Sequence, residues 1–184
     1  MATIFSHPAV PLAAAVALGS GIIPRRLLEF GVLCSILPDL DVLAFNFGIP
    51  YESVMGHRGF THSLLFAVLV AVGFRYGSIM GRERPWTTVL FVFGATISHG
   101  FLDALTNGGL GVGFMTPFTT RRYFLPAGWI EVSPIGVSFF SPRGWMVIKS
   151  ELLTVWLPCL VVALLGYSLR GNARRVGPRA GDQS

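Results

Sequence analysis

Five apolar stretches constrain this chain more than any other feature. They run from Pro8 to Ile23, from Leu27 to about Phe47, from Phe60 to about Tyr76, from Trp86 to about Thr106 and from about Leu152 to Leu169. A helix that crosses the hydrocarbon core of a bilayer needs about 20 mostly apolar residues. The first stretch is preceded by no Lys or Arg, so it lacks the charged start of a secretory signal. The supply of charge agrees. Only 12% of the 184 residues are Asp, Glu, Lys or Arg, against roughly 25% in a soluble domain, and the mean hydropathy is +0.63. These figures exclude an ordinary soluble enzyme, a disordered chain and a disulfide-stapled secreted module. The expected fold is all-α: a polytopic transmembrane helical bundle of about five spans, forming one membrane-embedded domain over residues 1–170. Cys34 and Cys159 lie in apolar runs without a CxxC pair and read as small core residues.

Residues 107–150 are rich in glycine, proline and aromatics without a clear period. They read as a long outer interfacial loop with room for a short amphipathic or re-entrant piece. Residues 171–184 read as a basic, disordered cytoplasmic tail. The net charge of +5 first suggests nucleic acid. Five spans explain it better. Arg25, Arg26, Arg75, Arg82, Arg84, Arg170, Arg174, Arg175 and Arg179 fall on one side, and Arg58, Arg121, Arg122, Arg143 and Lys149 on the other. Positive charge collects on the cytoplasmic side. The expected N-terminus is therefore outside, the C-terminus cytoplasmic, and the partner a lipid bilayer rather than nucleic acid.

Ionisable residues inside a membrane are costly and mark function by default. The fold-back brings seven of them to one leaflet: His7, Asp39, Asp41, His57, His62, His99 and Asp103. His99 and Asp103 are four apart and share a helix face. Pro38 loosens the helix beside Asp39 and Asp41. His57 and His62 flank a helix start, with Arg58 between them. Neutral imidazoles with carboxylates suit zinc, manganese or iron. Each piece alone has a plainer reading: a satisfied interfacial histidine, a helix cap, a hydrogen-bonded pair. Seven such coincidences at one depth favour one or two divalent ions, most readily zinc. Gly108, Gly109, Gly111 and Gly113 fit either a loop that moves over the site or a plain turn at a span end.

His7, P-D-L-D at 38–41, H-R-G-F-T-H-S at 57–63 and S-H-G-F-L-D-A-L-T-N-G-G at 98–109 resemble the YdjM/YbcI family of bacterial inner-membrane proteins, which carries the description of membrane-bound metal-dependent hydrolases. The resemblance covers about residues 1–170. The order His, Asp, His, His-x-x-x-Asp is also similar, more distantly, to the zinc-dependent phospholipase C and P1 nuclease group. The later His-x-x-x-Glu helix of that group is missing here, and Glu131 is the acidic residue of the outer loop that could substitute. These likenesses imply metal-dependent hydrolysis. The expected substrate is a phosphoester in a lipid or lipid-linked molecule, with Asp39 or Asp41 as general base or metal bridge. Arg58, with Arg121 or Arg122, would hold the phosphate. A non-catalytic metal-binding scaffold and an ion or proton transporter are the alternatives.

Overall fold

The computed structural model describes residues 1–126, 128–134 and 136–176, with the side chains of 174–176 left aside. The described residues are helical, with no strands and two isolated bridges. Helix α1 spans Ala9–Leu18 and α2 Arg25–Ile36; a 3₁₀ segment follows at Leu37–Phe47. A short 3₁₀ turn at Phe60–His62 leads into α3, Leu64–Gly77. Next come α4, Ile79–Glu83, and α5, Pro85–Ala104. After the loop and a 3₁₀ turn at Gly136–Phe139, one helix runs through α6 (Pro142–Glu151), a π turn (Leu152–Trp156) and α7 (Leu157–Val176).

Local chemistry sets these boundaries. Pro24, extended, opens α2. Pro38 cannot donate an amide hydrogen, and its ring crowds the preceding turn. The α-helix stops at Ile36, and the chain tightens into the 3₁₀ segment carrying Asp39 and Asp41. Ser63 caps α3 by accepting from Phe66 N at 3.1 Å, and Ser78 caps α4 by accepting from Gly81 N at 2.9 Å. Pro85 starts α5, where a missing N–H costs nothing.

Helix α5 is the centre of the bundle, with α2 and α3 against it, while α1 packs on α7. Its most apolar stretch is 61% buried, against 11% for that of Pro142–Ala173, whose apolar side chains face outward. Small residues allow the close approaches. A Cβ on Gly31 would lie 2.3 Å from the Phe91 ring, and one on Gly166 would lie 2.5 Å from Ala17 Cβ. Cys34 belongs to the buried α2–α5 core, and Cys159 is half-buried; both are free.

The five helical stretches alternate between two ends. At one end, Arg84 donates to Gly21 O and Arg170 to Val16 O. At the other lie His7, Asp39, His62, His99 and Asp103. Only two helices among the described residues, Pro85–Ala104 and Pro142–Ala173, are long and apolar enough to cross a bilayer. Helix length and composition thus support two of the five expected spans. Helix α1 has 10 residues and α3 has 14, and the expected second span breaks at Pro38. The expected fifth span begins earlier, at Pro142. Residues 171–176, expected to be disordered, continue α7; the rest of that tail lies outside the described residues.

Candidate metal centre

Four separate parts of the chain supply the site. His7 follows a turn closed by Ser6 N donating to Thr3 O at 2.9 Å. Glu151 pins this turn. Its carboxylate accepts from Thr3 N, Thr3 Oγ1 and, at 2.7 Å, Ser6 Oγ. The His7 ring is fully buried and stacks on His99, with centroids 3.6 Å apart. Neither of its ring nitrogens has a hydrogen-bond partner. Burial, reinforced by the His99 imidazole, pushes the His7 pKa from its ordinary 6.5 down to about 3. The ring is therefore neutral at physiological pH, with a lone pair to give.

The outer hydrogen bonds fix the other two rings. His99 Nδ1 lies 2.7 Å from Ser35 O. A carbonyl only accepts, so Nδ1 carries the proton and Nε2 the lone pair. His62 Nδ1 faces Asp41 Oδ2 at 3.2 Å, an outer contact that turns Nε2 toward the centre. Against the lowering effect of burial, hydrogen bonding to Asp103 and Asp41 raises the His62 pKa from 6.5 to about 9. The two Nε2 atoms point at one another 3.1 Å apart. Asp39 Oδ1 sits 3.2 Å from His99 Nε2, and Asp103 Oδ2 sits 3.5 Å from His62 Nε2. His7 Nε2 closes the group, 3.7 Å from Asp39 Oδ2 and 4.0 Å from Asp103 Oδ1. Both Asp39 oxygens are buried without a hydrogen bond. Five potential ligand groups thus converge; the His7 nitrogens and Asp39 oxygens among them have no hydrogen-bond partner, while Asp103 is held by Ala2 N and Arg58 Nε. Such an arrangement is costly unless a cation binds there. Nitrogen and carboxylate donors fit a divalent metal of the zinc, manganese and iron kind, and Asp39, His62, His99 and Asp103 present ligand atoms within 4.8 Å of one another. The centre also lies at the C-terminal end of α5, where the helix dipole favours positive charge.

Asp41 and His57 stand behind this group. His57 Nδ1 lies 2.6 Å from Asp41 Oδ1, while Asp41 Oδ2 accepts from Thr61 Oγ1 at 2.7 Å and Arg58 N at 3.1 Å. Every Asp41 oxygen is therefore already partnered, and its contact with His62 orients that ring. Asp41, His57 and His62 do form a second compact set, but its members are tied to one another by hydrogen bonds.

Arg58 occupies a different place from the one expected of a phosphate holder. It is fully buried. Its Nε donates to Asp103 Oδ2, Nη1 to Gly108 O and Nη2 to Thr106 Oγ1, each at 3.0 Å. It thereby holds Asp103. Its φ of 63° is the one positive value among the described residues other than glycine, so the backbone accepts strain to bring the guanidinium inward. Gly109 makes room for it: a Cβ there would lie 3.0 Å from Arg58 Nη1. The glycine-rich loop is packed onto Arg58 as a fitted turn. Arg122 clamps the preceding loop by donating to His57 O, Tyr51 O and Ser53 O. Arg121 is exposed, its guanidinium over the Tyr123 ring. Glu131 pairs with Arg143 at 3.1 Å on the surface.

All seven residues singled out as candidate ligands thus gather at one end of the molecule, in one central group of five with two behind. Sequence reasoning missed Glu151, Ser35 and Thr61. Glu151 had a signal: it is an acid opening an apolar run, and it is buried. Ser35 acts through its carbonyl, which no side-chain pattern reveals.

No solved structure matches this chain. It is similar to the inner membrane protein YbcI of Escherichia coli (strain K12), with 44% identity over 177 residues, covering 92% of this chain and 100% of that protein. The family model described as YdjM inner membrane protein matches residues 1–174, which include every residue of the centre. With that coverage and that identity, the chain belongs to the YdjM family of inner membrane proteins.

Proposed function

We propose that this protein is a membrane-embedded, metal-dependent hydrolase that cleaves a phosphoester in a lipid or lipid-linked substrate. The observation that carries this reading is the convergence of acceptors around Asp39, whose two oxygens are buried and unpartnered. His7, Asp39, His62, His99 and Asp103 would hold the ion, most readily zinc. When bound, a divalent ion polarises a phosphoryl oxygen and lowers the pKa of water. The chain's own residues do the rest. Asp39 has carboxylate capacity to spare and takes the proton of the attacking water. Asp41 is saturated with donors and keeps His62 oriented. Arg58 keeps Asp103 in place and leaves phosphate binding to the ion. In the orientation expected from the distribution of arginines, the centre faces the outer leaflet and the C-terminus is cytoplasmic.

The test is metal analysis of the purified protein, wild type against Asp39→Ala and His99→Ala, with a screen of phosphoester substrates. Wild type should hold about one or two ions and hydrolyse a phosphoester until a chelator is added. Both variants should lose metal and activity. Full metal retention in both variants overturns the site. Bound metal without hydrolysis of any phosphoester overturns the catalytic reading and leaves a metal-binding scaffold.

A further inference from the structure

Asp39 also lines a cavity of about 600 Å³, within the size range of small-molecule sites. The walls come from three parts of the chain: Phe5 before α1, Leu33 and Ile36 at the end of α2 with Leu40 just beyond, and Phe139 after the long loop. They are almost wholly apolar. Phe5, Leu33 and Leu40 are more than half exposed. Asp39 itself is 6% exposed and unpartnered. An apolar trough with one unsatisfied carboxylate in its wall is a poor place for a water-soluble substrate. It suits an amphiphile, with a hydrocarbon tail along the walls and a polar head at Asp39.

We infer that this trough is the chain-binding subsite of the enzyme: it holds the single alkyl or isoprenoid chain of a lipid phosphate and delivers the headgroup to Asp39 from within the leaflet. The inference rests on the hydrolase reading for the identity of the headgroup, and on the trough alone for the chain. It accounts for the position of the 3₁₀ segment. Pro38 turns Leu40 outward into the trough wall while Asp39, one residue earlier, reaches the metal ligands.

The experiment uses the full chain in detergent, loaded with zinc, and hexadecyl phosphate bearing a diazirine at the chain end. After irradiation, adducts are mapped on peptides. They should concentrate on residues 33–40, Phe5 and Phe139. Octyl phosphate should compete at least about tenfold less well than unlabelled hexadecyl phosphate, because each methylene adds burial. Leu33→Trp and Leu40→Trp fill the trough from exposed positions. Each should cut labelling at least about tenfold while bound zinc stays unchanged, which also shows that the variant is folded. Labelling spread along the outward face of α7, or unaltered by both tryptophans, overturns the subsite even if zinc and hydrolysis are intact. If diazirine-bearing hexadecanol labels the trough as strongly as the phosphate does, the chain subsite stands and the phosphoester reading fails.

Discussion

Asp39 and Asp41 are two residues apart and chemically alike, yet the structure gives them opposite conditions. Asp41 is saturated by His57, Thr61 and the Arg58 amide, whereas Asp39 has no hydrogen bond. Asp41 therefore supports its neighbours, and Asp39 is left with both oxygens unpartnered. Glu151 repeats the supporting theme from the far end of the chain, since its carboxylate fixes the turn that delivers His7. Replacing it by Ala would leave Thr3 N, Thr3 Oγ1 and Ser6 Oγ without their acceptor and let His7 drift. Metal affinity, read by calorimetry, should fall roughly 10–100-fold, the usual cost of losing an outer support. Glu151→Gln should fall between Ala and wild type. Unchanged affinity in the Ala variant would mean that the turn holds itself. These contacts mark how far the site was legible beforehand. His-x-x-x-Asp on a helix and His-Arg-Gly-Phe-Thr-His-Ser at a helix start announce their chemistry through spacing. The division of labour between Asp39 and Asp41, or the inward turn of Arg58, depends on partners distant in sequence: Thr61 stands 20 residues from Asp41, and Asp103 stands 45 residues from Arg58. No local pattern encodes that.

Among the elements, the long central helix was readable, because α5 is an unbroken apolar run started by a proline. The second stretch was not. Its hydropathy runs on past residue 37, but Pro38 ends the α-helix and turns the remainder into the 3₁₀ segment. Composition carried through a break that backbone chemistry does not allow. The last helix was underestimated for the opposite reason. The glycine, proline and aromatic content of residues 107–150 reads as a loop, although the last part of that stretch, from Pro142, is helical. Helix contacts offer a direct check. Gly166→Leu would force side-chain atoms into Ala17 and part α1 from α7. The expected loss is about 1–3 kcal/mol, seen as a lower midpoint in thermal unfolding in detergent. Gly73→Leu is the control: a Cβ at Gly73 meets nothing within 4 Å, and its midpoint should not move. Equal effects would show that the α1–α7 approach contributes nothing.

At the scale of the whole molecule, two ends differ in kind. One carries Arg170 against the last turn of α1 and Arg84 against the loop that follows it; the other carries the acceptor cluster. The helices need not each span a bilayer for this polarity to hold, since it follows from their alternation. A reporter enzyme active only in the cytoplasm, fused after Ser184, should be active if the basic end faces inward as the arginine distribution directs. Activity from a periplasm-dependent reporter at the same position would invert the molecule and put the centre on the cytoplasmic face, with its geometry unchanged.

The wide separation of the ligands along the chain has a consequence for how the protein is made. His7 leaves the ribosome first, yet Asp103 follows it by 96 residues, roughly 5–20 s at ordinary synthesis rates, and Glu151, which fixes His7, comes later still. The proposed ligand set is therefore incomplete during early insertion. If the centre binds a metal as proposed, loading is a closing act of assembly, performed on a nearly finished chain, and the first of the proposed ligands to be synthesised is the last to be fixed.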